Sequence, residues 1–310
     1  MAPSFDMNWE NSQRRISDCG LRISDLGKRS VDACSPNPQS AIRNPKSFLW
    51  LFYLVWLCPT WALAQQRPLI TEDPRLIATG SFITEAGFGY FRRARFPVSG
   101  LGGDQFSALV NGLNFGLGPR AEFQINGVVQ NFLRVHENGS GWRNDWGDIS
   151  LSTKIKLVDE TPVLPVVSFR PTVVLPNTDD ARGIGSNSMQ FFGNILAGKS
   201  VGPSFLYGNI GLGILTDTVS VRAQQDVLAY GIAAVLPISS RISLLSEWSG
   251  LDNPRQHPTP GGEDRSQVRL GVQVRASGVR WDIGATAGLT RLDPRAGLVF
   301  GLTKEFRLWK

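Results

Sequence analysis

Apolar and polar residues alternate along much of this chain. In GDISLSTKIKLV (147–158), Ile149, Leu151, Thr153, Ile155 and Leu157 interleave with Asp148, Ser150, Ser152, Lys154 and Lys156. Successive side chains on a strand point to opposite faces, so this spacing predicts a strand with one apolar and one polar face. The pattern recurs in QVRLGVQVR, where Val268, Leu270, Val272 and Val274 oppose Gln267, Arg269, Gln273 and Arg275. It recurs again in VRWDIGATAGL, where Val279, Trp281, Ile283, Ala285, Ala287 and Leu289 oppose Arg280, Asp282, Thr286 and glycines, and in AEFQINGV, where Phe123 and Ile125 oppose Glu122, Gln124 and Asn126. Segments 105–116 and 226–236 lack a decisive polar face. Strands are predicted over 80–91, 105–116, 120–134, 147–157, 163–175, 187–198, 204–215, 227–236, 241–249, 266–275, 279–290 and 296–309.

The connections carry as much information as the strands. Long FRRARFPVSGLGGD is followed by short GLGPR, long HENGSGWRNDW by short VDETP, long PNTDDARGIGS by short KSVGP, long TDTVSVRAQQD by short PISSR, and long LDNPRQHPTPGGEDRS by short ASG; RLDPRA alone breaks the size trend. Strict alternation of short turns and long loops is what strands running up and down a membrane produce. A Greek-key sandwich has no reason to show it. The expected fold is all-β: a transmembrane antiparallel up-and-down β-barrel of about twelve strands. The five tryptophans after residue 64 (Trp142, Trp146, Trp248, Trp281, Trp309) fall at or near predicted strand ends, as an interfacial girdle would. Glycines within strands (Gly87, Gly89, Gly127, Gly211, Gly213, Gly284, Gly288) suit a curved wall. Pro165 and Pro171 cannot donate ladder bonds, so the fifth predicted strand should be irregular or its boundary should shift.

Upstream lies FLWLFYLVWLCPTWALAQQ (48–66), with an unbroken apolar run from Phe48 to Leu57. A helix needs roughly 20 apolar residues to cross a bilayer, about twice this run. Arg43 and Lys46 precede it and Ala62-Leu63-Ala64 follows, the pattern of an export signal cut between Ala64 and Gln65. The expected organisation is a polar leader, 1–45, either disordered or ahead of the true translation start; a cleavable signal, 46–64; and the barrel, 65–310. Taking 64 residues from 310 leaves 246, enough for one barrel, and removes all three cysteines (Cys19, Cys34, Cys58). Removing 7 of 32 basic and 5 of 26 acidic residues leaves a scattered excess of +4, which gives no nucleic-acid footprint.

RPLITEDPRLIATGSFITEAGFGYF, the GDISLSTKIKL strand and SFRPTVVLPNTDDARGIGSNSMQFFGNILAGKSVG together resemble a family of exported barrels labelled for a MetA pathway of phenol degradation, or simply as transporters. The resemblance spans residues 67–310. It implies an outer-membrane protein that admits small aromatic or hydrophobic compounds, sits in outer-membrane lipid and is inserted by the barrel-assembly machinery. It carries no catalytic residues and no cofactor. One departure concerns the C-terminus, where such barrels end in an aromatic residue: here Trp309 is penultimate, Lys310 is last, and the apolar face of the last strand runs through Phe300, Leu302, Phe306 and Leu308.

Candidate chemistry is sparse. His136 and His257 fall in expected outer loops, and His136 lies near Glu137 and Ser140; Asp179, Asp180, Glu263 and Asp264 show no regular metal-ligand spacing. Solvated loop groups account for them. The inward face is richer: Glu85, Glu122, Asp148, Lys154, Lys156, Arg170, Glu247, Arg269, Arg280, Asp282, Glu305 and Arg307 all take the lumenal parity. Mixed charges there either line a narrow polar path or lock into a salt-bridge ladder that plugs the barrel. Twelve strands leave a lumen between that of a filled eight-stranded barrel and that of a 16-stranded porin. The leading expectation is a channel for small solutes. A plugged structural barrel, a soluble periplasmic β-sheet binding protein and a lipid-modifying enzyme follow in that order.

Overall fold

The computed structural model describes residues 67–185, 187–218 and 223–308. The expected leader and signal, the cleavage point at Ala64 and Gln65, and the C-terminal pair Trp309 and Lys310 lie outside the described residues. Thirteen strands follow one another: β1 Ser81–Phe96, β2 Leu101–Gly118, β3 Ala121–Glu137, β4 Gly141–Asp145, β5 Ile149–Val158, β6 Val166–Leu175, β7 Gln190–Val201, β8 Ser204–Thr216, β9 Gln224–Pro237, β10 Ile242–Asp252, β11 Arg265–Ala276, β12 Val279–Gly288 and β13 Ala296–Arg307. A single 3₁₀ turn, Asp180–Arg182, interrupts the loop after β6.

Twelve of these strands form a closed antiparallel barrel. Each pairs with its sequence neighbours, and β1 returns to β13 from Ser81↔Arg307 to Arg92↔Ala296. Closure leaves the ring no free edge, which bilayer hydrocarbon demands because it offers backbone groups no water. The thirteenth strand, β4, lies inside what reads as a long polar loop. β5 covers only the first part of β3, from Ala121↔Ile155 to Asn126↔Ser150, and β4 covers the later part, from Asn131↔Asp145 to Val135↔Gly141. The hairpin between β3 and β4 turns through Asn138 and Gly141, both at positive φ. Periodicity missed β4 because WRND has no apolar face to alternate.

The barrel is inside out relative to a soluble protein. Outward residues such as Leu212 and Leu270 are 66% exposed, whereas inward Glu122 and Lys154 are 1% exposed. An apolar outer belt with a polar interior is the pattern of a lipid-embedded barrel. Tyr230 and Trp248 pack edge to face, their ring centroids 5.3 Å apart. Pro165 lies just ahead of β6, while Pro171 sits within it, paired with Gly193 of β7 and absent from the β5–β6 register. The expected irregularity is therefore a local gap in one ladder.

Three apolar clusters interrupt the polar interior among the described residues, the smallest a pairing of Ile77 with Ile83. Val166, Phe205, Tyr207, Ala233, Val235 and Leu245 converge with Leu69, a residue upstream of every strand. Leu133, Val135 and Ile184 converge at the long-loop end, with Phe96 and Leu101 packed against them. Ile184 belongs to the loop between β6 and β7, and Ser99 donates a 2.7 Å hydrogen bond to the Gly183 carbonyl of that loop. The outer loops thus pack on one another around the mouth.

Candidate functional site

Residues 67–80 do not trail away from β1; they run through the barrel. Pro68 and Pro74 keep this stretch out of any helix or ladder, so its remaining N–H groups need acceptors from elsewhere. The barrel wall supplies them. Glu247 of β10 accepts from Ile70 N–H at 2.9 and 3.0 Å and also from Thr71 N–H. Glu122 of β3 accepts from Ile77 N–H at 2.8 Å. Wall donors reach the segment's carbonyls in return: Gln273 to Arg67 at 2.6 Å, Ser168 to Pro74 at 2.6 Å, Lys154 to Arg75 at 3.1 Å, and Arg269 to Pro68. A stretch held from β3, β5, β6, β10 and β11 at once crosses the lumen as a plug-like strip of chain.

Its central lock is ionic. Lys154 lies 2.7 Å from Glu72 and 2.9 Å from Glu122, all three side chains at most 4% exposed. Gln124 bridges the two carboxylates at 2.9 and 2.6 Å and accepts from Arg170 Nε at 2.8 Å; Arg170 Nε is also 3.8 Å from Glu72. Every proton of the Lys154 ammonium has an acceptor, the condition under which a buried cation is tolerated. The second anchor is apolar: Leu69 enters the cluster around Phe205, and the Arg75 guanidinium stacks 3.8 Å from the Phe205 ring centre while paired with Asp73. Glycines make room for this. A Cβ at Gly231 would meet the Thr71 hydroxyl, and one at Gly198 would meet Pro74.

The inward charges divide into three groups and one residue apart, Asp148. Glu122, Lys154, Arg170, Glu247 and Arg269 contact or surround the plug as described. Glu85, Arg280, Asp282 and Glu305 are buried on the adjoining wall of β1, β12 and β13, with Arg280 donating to Glu85 at 3.2 Å and to Thr303 at 3.1 Å. Lys156 and Arg307 lie at the short-turn end: Lys156 pairs with Asp159 of the following turn at 2.5 Å, and Arg307 is exposed at the end of β13. Asp148 precedes β5 and is open to the lumenal cavities. Partial desolvation in the lumen pushes its carboxyl above the ordinary aspartate range, a hydrogen bond from Thr178 opposes the rise, and Asp145 adds to it.

Between the plug and the outer loops are two adjoining cavities of about 470 Å³ each. They share Ile70, Phe91, Arg170 and Arg269. A smaller cavity of about 320 Å³, lined by loop residues including Pro97, Ile184, Gly261 and Pro294, continues toward the mouth and shares Gln105, Arg265 and Pro294 with its neighbour. The polar lumen is thus hollow on the outer side and crossed by chain below.

The loop groups considered for chemistry do local work. His136 Nε2 is 3.6 Å from Asp104, Asp179 caps Ala181 N–H at 3.0 Å, and Asp264 accepts from Asn253 N–H at 2.8 Å. Among the described residues no three His, Cys, Asp or Glu side chains converge as a metal site would need. The plug is the feature that periodicity overlooked. Its trace in the sequence is RPLITEDPR, a stretch with two prolines, both charge signs and no alternation, set directly before the first strand.

No family model matches the chain, and no curated protein matches it; the phenol-degradation label remains an expectation. Solved structures do. The COG4313 outer membrane channel from Pseudomonas putida F1 superposes with a TM-score of 0.57 at 14% identity, covering 76% of this chain and 98% of that one. The NanC porin gives a TM-score of 0.46 at 8% identity over 72% of this chain and 97% of that one. The translocator domain of the autotransporter NalP from Neisseria meningitidis gives 0.42 at 14% identity over 75% and 90%. The fold of this chain is that of outer-membrane β-barrels: a closed, twelve-stranded antiparallel barrel with one extra strand.

Proposed function

We propose that the protein is an outer-membrane channel for small solutes, held shut by residues 67–79 and opened when that segment leaves the lumen. The observation that carries this is the plug itself: a continuous strip of chain, attached to the wall by side-chain contacts and paired with no strand, lying beneath hollow polar cavities. Such attachments can be exchanged for water one by one without breaking the barrel. Cleavage between Ala64 and Gln65 would leave two residues ahead of Arg67, giving the plug a free end from which to withdraw. The solute class follows the family resemblance, small aromatic or hydrophobic compounds, and insertion would use the barrel-assembly machinery.

Planar-bilayer conductance of the full chain, compared with a variant lacking residues 67–79, tests the reading. The expected result is a nearly silent full-length protein and steady large openings in the variant. Equal conductance from both would remove the plug from gating. Silence from both would favour the second reading, a structural barrel, which the dense pairing around Lys154 otherwise supports.

A further inference from the structure

Three buried hydrogen-bonding groups without a protein partner belong to residues that line one cavity. The Thr71 and Ser249 hydroxyls and Arg269 Nε line or border the same 470 Å³ space and make no hydrogen bond among the described residues. The three residues are 1%, 5% and 7% exposed. Arg269 Nε lies 4.0 Å from the Glu247 carboxylate, beyond hydrogen-bond reach, and that carboxylate already receives the Ile70 and Thr71 N–H groups. Guanidinium nitrogens only donate, and a hydroxyl always has a proton to give. Buried donors left unmade are costly, so a convergent set of them marks a place for an acceptor.

The charged groups that reach the cavity lining are mostly guanidinium groups. Arg170, Arg265 and Arg269 line it with one acid, Asp293, whose carboxylate is occupied by Ser266 N–H, Thr290 N–H and the Thr290 hydroxyl; Glu72 and Glu247 stand behind the lining, 3.8 Å from Arg170 and 4.0 Å from Arg269. The remaining surface is apolar where it matters. Phe91 lies over Gly89 and Gly297 on the inner wall, and Ile70 at the crest of the plug is 54% exposed. A volume of 470 Å³ is in the range of small-molecule sites, roughly 300–1,000 Å³.

We propose that this cavity binds a small organic carboxylate with an apolar body, its head held by Arg269, Ser249 and Thr71 and its body against Phe91 and Ile70. The proposal rests on the channel reading for its physiological meaning, since it names the solute. Thr71 belongs to the plug and Ser249 and Arg269 to the wall, so an occupant would touch both and sense whether the plug is seated.

The test is calorimetry on the detergent-solubilised full chain with sodium benzoate, against benzyl alcohol and benzylammonium chloride. Benzoate should bind saturably and at least about tenfold more tightly than benzyl alcohol, the worth of one charge-assisted hydrogen bond, and benzylammonium should not compete. Arg269→Gln, which can still donate to the Pro68 carbonyl, should weaken benzoate about tenfold or more; Ser249→Ala should weaken it severalfold. Folding of each variant is verified by its heat-dependent gel migration. If Arg269→Gln does not fold, Ser249→Ala and Thr71→Val carry the test. Equal binding of benzoate and benzyl alcohol, no saturable benzoate binding, or folded variants that bind as wild type does would overturn the proposal. Conductance of the full chain and of the variant lacking residues 67–79, measured beside calorimetry, separates the two readings: benzoate binding with both proteins silent keeps the site and sinks the channel, whereas openings in the variant without benzoate binding to the full chain keep the channel and sink the site.

Discussion

Replacing Lys154 with Met should open the barrel. The ammonium has three acceptors: Glu72 on the plug at 2.7 Å, Glu122 on the wall at 2.9 Å and the Arg75 carbonyl on the plug at 3.1 Å. Methionine keeps the length and removes all three. What remains is two buried carboxylates bridged by Gln124, with Arg170 3.8 Å from Glu72 as the nearest other cation. Removing one partner of a buried ion pair costs about 3–5 kcal/mol. Only part of that loss counts toward release, because Glu72 escapes to water with the plug while Glu122 stays in the wall. Assigning about 2–3 kcal/mol to the plug shifts the closed–open balance by about 30- to 150-fold. The assay is single-channel recording at fixed voltage, scoring the fraction of time open. Glu72→Gln combined with Lys154→Met leaves no uncompensated charge on the plug and should recover most of the closure. An open fraction for Lys154→Met within twofold of wild type, with the plug-less variant conducting, would falsify the ionic lock and leave the apolar anchor at Leu69 as the latch.

Three further outcomes are expected. Gly231→Leu places a side chain where the Thr71 and Asn209 side chains lie, the three atoms nearest to its Cβ all belonging to side chains, so the barrel should still form while the plug is displaced, raising conductance and protease sensitivity of residues 67–79; unchanged values would contradict the close fit. Asp148→Asn should slightly raise resistance to urea in lipid vesicles at neutral pH, because partial desolvation and Asp145 lift the native carboxyl above its unfolded value and its ionised form is therefore less favourable in the fold, an effect that solvent at this open position keeps small. That gain is full above the native pKa and vanishes as pH falls below the unfolded value, about 3.9; a gain that persists at lower pH would contradict the cause. Residues 46–310 expressed in a Gram-negative host should give outer-membrane protein that migrates faster unboiled than boiled, with Gln65 at its N-terminus. Soluble periplasmic protein with no heat-dependent shift would overturn the membrane placement.

What could be read from the chain alone follows from the physics of a barrel wall. A strand half in lipid and half in water must alternate, so Ile149 to Leu157 and Val268 to Val274 declare both their structure and their outward face. The turn chemistry is equally local, so the alternation of short and long connections gives the up-and-down order and the return of the last strand to the first. Inward parity likewise selects Glu122, Lys154, Glu247 and Arg269 without any knowledge of their partners. β4 stayed hidden because its pairing with β3 comes from a neighbour's unpaired edge and has no apolar face of its own.

The plug belongs to a different order of information. Nothing within RPLITEDPR says that Glu72 will meet Lys154 or that Glu247 will take two backbone N–H groups across a separation of more than 170 residues. Those partners exist only once the barrel has closed and excluded most water, which makes an unsatisfied N–H or charge costly enough to position a loose segment. Local pattern therefore determined the wall, its curvature and its two faces. Tertiary structure alone decided that the lumen is crossed, which charges lock together, and which donors remain free above them, because each of these depends on side chains brought together by closure and on the low dielectric that closure creates.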